Sequence, residues 1–259
     1  MEELQGGREG QIYRLKDIVY RPTQEWTPAV HQLLRYLKSQ AFHAAPTVFG
    51  VNQEGYEMLS YIKGEVYNYP LVGPVATQQA LSSAGYLLRQ YHDATVSWVQ
   101  SPQNADLCWM LPSREPQGVI CHGDYAPYNV VLAEESVVGI IDFDTAHPAP
   151  RVWDVAYAVY CWAPFKTHPH DALGDLVLQS ARAKLFCDAY GLAKEDRLQL
   201  IDTMIERLNA LVSFMVSEAE KGNISFAQNI RDGHHFAYLE DARYIERNRD
   251  EITSIICSF

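Results

Sequence analysis

The sequence predicts an α+β fold with two lobes, a small N-terminal lobe rich in β-strands and a larger helical C-terminal lobe. Short apolar runs separated by turn signals fill most of the first sixty residues. Beyond residue 64 the apolar residues mostly recur at helical spacing, and three short apolar runs interrupt this pattern. Lys63-Gly64 is the best candidate for the joint, so residues 1–63 and 64–259 are predicted to form the two lobes.

The N-terminal lobe is predicted to contain two hairpins and one helix. Residues 11–21 alternate weakly between apolar and polar side chains, as a half-buried hairpin does. Thr27-Pro28 is typical of a helix start, with Thr27 as the N-cap and Pro28 in the first turn. A turn containing Asn and Gly divides residues 47–62 into two apolar runs, which predicts the second hairpin.

The C-terminal lobe is predicted to consist of helices around three short strands. Thr77 is a candidate cap for the first of these helices. An apolar stripe over residues 198–215 predicts a long helix whose stripe faces the core. The strands are predicted at residues 119–121, 130–132 and 137–141.

The charge of the chain argues against one class of partner. Its 32 acidic and 21 basic residues give a formal net charge of −11. Such a surface repels a phosphate backbone, so we expect no nucleic acid partner. The charge is compatible with a cationic ligand, although many acidic proteins bind no cation.

Cysteine usage and hydropathy bear on the location of the protein. The five cysteines include no C-x-x-C pair, which indicates reduced thiols rather than a zinc site or a disulfide framework. The N-terminal residues lack the pattern of a signal peptide, and the longest strongly apolar stretch, Val155–Ala163, is too short to cross a bilayer. We therefore expect a cytoplasmic protein with no membrane partner. The helices give no clear oligomer signal, which leaves a monomer or a homodimer.

The strongest chemical signal is the segment HGDYAPYN, which runs from His122 to Asn129 between two predicted strands. The third predicted strand leads into Asp142-Phe-Asp144. Phosphoryl transfer requires an oriented acceptor hydroxyl and metal ions held by hard oxygen ligands. Asp124 can accept the hydroxyl proton, while Asn129 and Asp142 can supply oxygen ligands. Asp124 and Asn129 are five residues apart, which matches the spacing of a kinase catalytic loop.

With glycine between the histidine and the aspartate, this pattern resembles the aminoglycoside-phosphotransferase and choline-kinase superfamily, which has a protein-kinase-like fold. The resemblance implies that Asp124 is the catalytic base and that His122 orients the catalytic loop through hydrogen bonds. It implies that Asn129 and Asp142 are ligands of Mg²⁺. Asp144 matches the second acid of the family's D-x-D element and is included with the metal ligands.

The resemblance also implies a nucleotide site in the N-terminal lobe. Arg21 stands where the family places a basic residue that holds the nucleotide phosphates, and arginine suits this use because it binds phosphate bidentately. Its usual helix partner, a glutamate, is missing from residues 30–37. Ser60, Tyr61 and Ile62 would contact the base through the backbone, so the sequence does not distinguish ATP from GTP. A phosphate-covering loop is weakly suggested by three glycines (Gly6, Gly7 and Gly10).

The function implied by the resemblance is that of a small-molecule kinase. Such an enzyme transfers the γ-phosphoryl group of ATP or GTP, as the magnesium complex, to a hydroxyl of a small molecule, here compatible with a cationic acceptor. Candidate acceptor contacts in the helical lobe are Trp162, Glu218, Glu220, Glu240 and Asp241. Two alternatives stay open: a catalytically inactive kinase-like protein that binds a nucleotide or ligand, and, more remotely, a metal-dependent phosphoesterase.

Overall fold

A computed structural model describes residues 2–4, 11–101 and 106–258. It confirms the α+β class, with strands concentrated in the N-terminal region and helices in the C-terminal region. Contacts group the chain into two compact units. The first unit comprises Met1–Val66, Leu87–Asp124 and Tyr128–Arg151, and the second comprises Tyr67–Tyr86, Tyr125–Pro127 and Val152–Phe259. The division of the chain expected after residue 63 stays a prediction.

The N-terminal sheet of the first unit has five antiparallel strands, β1 (Glu2–Glu3), β2 (Tyr13–Leu15), β3 (Ile18–Pro22), β4 (Val48–Val51) and β5 (Tyr56–Ser60). They lie in the order β1-β2-β3-β5-β4. Both predicted hairpins are present in it. One register matters for the site: Arg21 on β3 lies directly opposite Glu57 on β5. Cross-strand neighbours share a face of the sheet, so their side chains can interact.

Helix α1 (Thr27–Ser39) lies in the chain between β3 and β4 and buries an apolar face in the first unit. The helix was predicted, but the predicted cap is wrong by one position. Trp26 is the N-cap and makes no side-chain capping bond. Thr27 lies inside the first turn instead, where its Oγ1 accepts a hydrogen bond of 2.8 Å from the Gln24 amide. The hydroxyl therefore fixes the turn before the helix rather than the helix end itself.

The centre of the first unit contains two antiparallel strand pairs. Strands β7 (Val130–Ala133) and β8 (Ser136–Ile140) form a hairpin. Strand β6 (Val119–Cys121) pairs with β9 (His147–Ala149). The sequence predicted three of these strands and missed β9, where a proline in a three-residue segment hides the strand pattern. The pairing of β6 with β9 joins the two ends of the polar segment that contains all the candidate catalytic residues.

Seven further α-helices lie among the described residues. Thr77 caps the first of them as predicted, because its Oγ1 accepts from the Ala80 amide at 3.2 Å. The apolar stripe predicted over residues 198–215 is only partly core, since Leu198 at its start is 56% exposed. Among the described residues no helix is both long enough and apolar enough to cross a bilayer. The helices are α2 (Gln78–Val99), α3 (Arg151–Trp162), α4 (Leu176–Tyr190), α5 (Lys194–Glu220), α6 (Ile224–Arg231), α7 (His234–Arg247) and α8 (Arg249–Ile256).

Candidate active site

The loop after β6 holds the Asp124 carboxylate between two donors. Asn129 Nδ2 donates to Asp124 Oδ2 at 2.8 Å and to the Asp124 carbonyl oxygen at 3.0 Å. Tyr128 Oη donates to Asp124 Oδ1 at 3.0 Å. A 3-10 turn over Pro127–Asn129 brings both donors back toward the aspartate. The spacing of five residues singled out Asn129 as a candidate metal ligand, but it did not predict this contact with Asp124, and nothing in the sequence singled out Tyr128.

His122 is fully buried and connects this loop to the strand that leads into Asp142. Its Nδ1 accepts from the Asp124 amide at 3.3 Å, so Nε2 carries the proton that is donated to the Ile141 carbonyl at 2.9 Å. Thr145 Oγ1 donates to the His122 carbonyl at 2.9 Å. These bonds connect the loop to residues 141 and 145 through His122, and the orienting role of the imidazole stays a prediction.

The backbone conformation of Gly123 accounts for the glycine at the position where protein kinases have arginine. Its φ is +83°, a conformation that L side chains rarely adopt. A β-carbon at this position would also collide with the Thr145 carbonyl oxygen. The backbone of the loop and the turn after Asp142 therefore approach each other more closely than any side chain at residue 123 would allow.

The turn after β8 places the Asp142 and Asp144 carboxylates. Asp142 has φ +59° and ψ +68°, a left-handed conformation that is uncommon for a residue with a side chain. The ring of Phe143 packs against His122 and Tyr91, with centroids 5.0 and 5.7 Å away. Asp142 therefore faces away from the core with its side chain 49% exposed, whereas the Asp144 side chain is 12% exposed.

Arg21 joins the N-terminal sheet to both of these acids. Its Nη1 donates to Asp142 Oδ1 at 2.8 Å, and its Nη2 donates to Asp144 Oδ1 at 2.7 Å. Burial alone would lower the pKa of Arg21, but attraction by Asp144, Asp142 and Glu57 outweighs burial and raises this pKa above its ordinary value. The guanidinium is therefore a permanent cation in the middle of the candidate site.

The sequence missed Glu57, the third partner of Arg21. Glu57 Oε1 accepts from Arg21 Nε at 2.5 Å, and Glu57 Oε2 lies 2.7 Å from His31 Nε2. The acid that pairs with Arg21 lies on β5 rather than on α1, and α1 contributes His31. A signal was present: Glu57 alternates with Leu59 on the buried face of a predicted strand, where a lone carboxylate requires a partner.

Residues 60–62, which were predicted to contact the nucleotide base through the backbone, make some of their backbone hydrogen bonds within the protein. The Ser60 amide donates to the Thr47 carbonyl and the Tyr61 amide to the Asp17 carbonyl, both at 2.9 Å. The Arg14 guanidinium lies 3.6 Å from the centroid of the Tyr61 ring. Among the residues that the structure describes, the Ile62 amide has no hydrogen-bond acceptor, so it is the amide of this segment best placed for a ligand.

Most of the acids considered for acceptor binding serve the second unit itself. Asp241 is buried and accepts hydrogen bonds of 2.7 Å from Tyr160 Oη and from both the amide and the hydroxyl of Thr167. Glu240 and Glu218 form ion pairs with basic residues one helical turn away. Trp162 is fully buried, which leaves Glu220 as the one exposed candidate without such an ion pair among the described residues. Gly6, Gly7 and Gly10 lie outside the described residues.

The protein has a protein-kinase-like fold of the phosphotransferase type. This class is defined by the β-rich N-terminal region, the helical C-terminal region and the loop that carries His122, Asp124 and Asn129. The model of the phosphotransferase enzyme family matches residues 102–195. The trifolitoxin immunity protein of Rhizobium leguminosarum bv. trifolii is 32% identical over 210 residues, which cover 78% of this chain and 78% of that protein. The chain belongs to the phosphotransferase enzyme family, and the resemblance to aminoglycoside phosphotransferases and choline kinases is confirmed.

Solved structures show the same fold at low sequence identity. A choline/ethanolamine kinase family protein from Mesorhizobium loti aligns with a TM-score of 0.59 and 14% identity, over 95% of this chain and 88% of that chain. The GDP complex of aminoglycoside 2'-phosphotransferase-IIIa aligns with a TM-score of 0.60 and 14% identity, over 96% and 92% of the two chains. At this identity the alignments establish the fold, and the chemistry must be argued from the residues of this chain.

Proposed function

We propose that the protein is a small-molecule kinase that transfers the γ-phosphoryl group of Mg-ATP or Mg-GTP to a hydroxyl of its acceptor. The observation that carries the proposal is the position of Asp124. Its carboxylate is fixed by Asn129 and Tyr128, and its loop is hydrogen-bonded through His122 to the strand that ends at Asp142. An oriented carboxylate and a set of hard oxygen ligands on adjoining backbone segments are the parts that phosphoryl transfer requires.

Asp124 would orient the acceptor hydroxyl and receive its proton as the new bond to phosphorus forms. General-base assistance of this kind contributes about 10²- to 10⁴-fold in rate. Its two hydrogen-bond donors hold the carboxylate in one rotamer. His122 would keep the loop in register, since its ring bonds only to backbone groups in the hydrogen bonds described above.

The residues around Asp142 suit a magnesium ion. Carboxylate and amide oxygens are the ligands that Mg²⁺ prefers, and the ion would supply charge neutralisation at the transferring phosphates. Asp142 and Asp144 each direct an oxygen to one guanidinium, so both can face a single cation. Asn129 uses Nδ2 for its bonds to Asp124, which leaves Oδ1 available. The Ile141 amide donates to the Asn129 carbonyl at 2.9 Å, so the ligand-bearing segments are direct neighbours.

The identity of the acceptor is supported by the named relative more than by the site. That relative is an immunity protein, which favours an acceptor that is a toxic compound over one that is an intermediate of metabolism. A strongly cationic acceptor gains little support, because three of the four candidate acids for acceptor binding already have partners within the second unit. We therefore propose that the acceptor is a hydroxyl-bearing small molecule without a required positive charge. A cytoplasmic location for the reaction is part of the proposal.

A second candidate function is that of a catalytically inactive kinase-like binding protein. It is favoured by one observation: Arg21 already occupies both Asp142 and Asp144. An immunity protein could also act by binding its target without modifying it. Turnover decides between the two candidates, since the inactive protein transfers no phosphoryl group to any acceptor.

The test is transfer of radiolabelled γ-phosphate from ATP or GTP to a panel of hydroxyl compounds that includes antibiotics, amino alcohols and sugars. We expect a labelled product with wild-type protein. Asp124→Asn should lower the rate by about 10²- to 10⁴-fold while nucleotide binding persists, because only the base is removed. Glu135→Gln, an exposed acid in the turn between β7 and β8, is the matched control and should leave the rate unchanged. Equal rates for Asp124→Asn and wild type would refute the assignment.

A further inference from the structure

The Arg21 guanidinium lies between two groups of acids in the first unit. Its Nε faces Glu57, and its two terminal nitrogens face Asp142 and Asp144. Arg21 is 7% exposed, and every one of these contacts is between 2.5 and 2.8 Å. The positive charge that neutralises both candidate metal ligands is therefore a side chain of the protein itself.

We propose that Arg21 couples metal binding to nucleotide binding by exchanging partners. In the ligand-free protein, Arg21 is the counter-cation of Asp142 and Asp144. When a nucleotide phosphate accepts the hydrogen bonds of its terminal nitrogens, the two carboxylates become available to Mg²⁺. This inference rests on the proposed function, and it adds a role for Arg21 that phosphate binding alone does not require.

The balance of charges explains why neither ligand should bind well alone. A metal ion between Asp142 and Asp144 would lie beside the guanidinium and would leave its terminal N–H groups buried without acceptors, which is costly. A phosphate without metal would approach Asp142 and Asp144 as like charges. When both ligands enter, phosphate pairs with arginine and metal pairs with carboxylate, so positive and negative groups alternate. Each ligand should therefore strengthen the binding of the other.

Glu57 and His31 would hold Arg21 in place throughout the exchange. Glu57 is 1% exposed, and its two oxygens are divided between Arg21 Nε and His31 Nε2. Because Glu57 engages only Nε, the two terminal nitrogens can change partners without moving the base of the guanidinium. We therefore assign Glu57 and His31 as positioning residues for Arg21, in the place where a helix glutamate was expected.

The experiment measures Mn²⁺ binding in the absence of any nucleotide, by electron paramagnetic resonance of free Mn²⁺ and by calorimetry. Arg21→Gln should bind Mn²⁺ about tenfold more tightly than wild type or better, because the apparent dissociation constant falls as the carboxylates become available. Arg21→Lys keeps a cation beside the acids and should stay close to wild type. Arg35→Gln removes an exposed arginine from α1 and is the matched control, with wild-type affinity expected.

A second variant guards against misfolding of the first, since Arg21→Gln leaves three acids without their cation. Arg21→Gln combined with Glu57→Gln replaces the buried ion pair by two amides that can still bond to each other. This double variant should also bind Mn²⁺ more tightly than wild type. Unchanged Mn²⁺ affinity in either folded variant would overturn the inference, as would tight Mn²⁺ binding by wild-type protein without nucleotide.

Failure of the inference can be told apart from failure of the proposed function. If wild-type protein binds Mg-ADP or Mg-GDP and the Arg21 variants gain no Mn²⁺ affinity, the kinase proposal stands and the partner exchange is wrong. If wild-type protein binds no nucleotide with or without Mg²⁺, the kinase proposal itself loses its basis.

Discussion

At the scale of single residues, the buried Glu57 carboxylate determines how Arg21 and His31 are positioned in the site. A charge with 1% exposure requires compensating partners, and Arg21 and His31 supply them from β3 and α1. The network joins three elements of the first unit through one side chain. It is also the part of the site that the sequence did not predict, because the residues are 26 and 36 positions apart and follow no motif.

Glu57→Ala should therefore lower the free energy of unfolding strongly. Removing one partner of a buried ion pair costs about 3–5 kcal/mol, since the arginine is left without its nearest counter-charge. Glu54→Ala, in the exposed turn between β4 and β5, is the matched control and should change stability by no more than about 0.5 kcal/mol. Urea unfolding followed by circular dichroism measures both, and equal losses in the two variants would show that the Glu57 network does not hold the sheet together.

The Tyr128 contact could not be predicted although the residue lies inside the recognised motif. Its position inside the HGDYAPYN segment was known, yet its hydroxyl bond to Asp124 depends on the 3-10 turn that follows Asp124. Asn129 could be predicted because its spacing from Asp124 is shared with kinase catalytic loops. Side chains that act through a recurring spacing can thus be found in a sequence, whereas those that act through a local turn require the backbone.

At the scale of elements, the turn between β8 and β9 sets the direction of the metal-ligand candidates. Asp142 holds a left-handed conformation while Phe143 is packed between His122 and Tyr91. The sequence predicted the strand before this turn and the acids within it. It did not predict β9, and so it missed the pairing that closes the loop between β6 and β9.

The backbone of residue 142 can be tested with two variants that both lack the carboxylate. Asp142→Gly should be more stable than Asp142→Ala by about 1 kcal/mol, because a left-handed residue with a β-carbon is strained and glycine is not. Both should lose Mg²⁺-dependent nucleotide binding. Because both variants lack the carboxylate, a difference between their unfolding midpoints reports the backbone conformation of residue 142 and not the lost charge. An alanine variant as stable as the glycine variant would contradict the left-handed turn.

Gly123→Ala tests the close approach of the catalytic loop to the same turn. Its positive φ and the collision with the Thr145 carbonyl both oppose a methyl group. We expect a loss of at least about 1–2 kcal/mol in stability. The distance between Asp124 and the turn should also change, which would lower the rate of transfer in the labelled-phosphate assay. Wild-type stability and rate together would mean that the loop does not lie against Thr145.

At the scale of the whole molecule, the division into a strand-rich N-terminal region and a helical C-terminal region was predicted from the sequence. The α+β class, both N-terminal hairpins and the helical remainder followed from apolar periodicity together with turn signals. The exact limits of the helices did not: the cap of α1 is displaced by one residue, and the start of the α5 stripe is exposed. Tertiary packing determines where a helix ends and which of its residues are buried, and apolar periodicity does not contain this information.

The cysteines provide a test of burial across the described chain. All five are described and none forms a disulfide; Cys108 is exposed, Cys257 is part-buried, and Cys121, Cys161 and Cys187 are buried. Burial raises the pKa of Cys187 to about 12, so its thiolate is scarce at pH 8. With a chromogenic disulfide reagent at pH 8, we expect one fast thiol and one slower thiol, and five after unfolding. Cys108→Ser should remove the fast phase, and three or more fast thiols in native protein would contradict the packing.

Thermal unfolding with ATP or GTP, each with and without Mg²⁺, measures whether the candidate kinase site binds nucleotide and metal together. A ligand present at about one hundred times its dissociation constant stabilises the folded protein by about 2.7 kcal/mol, which is readily visible as a higher Tm. We expect at least one nucleotide to raise Tm with Mg²⁺ and to have little effect without it, and we expect Mg²⁺ alone to have none. If the Tm responds to neither nucleotide in the presence of Mg²⁺, the protein does not use this site as a kinase.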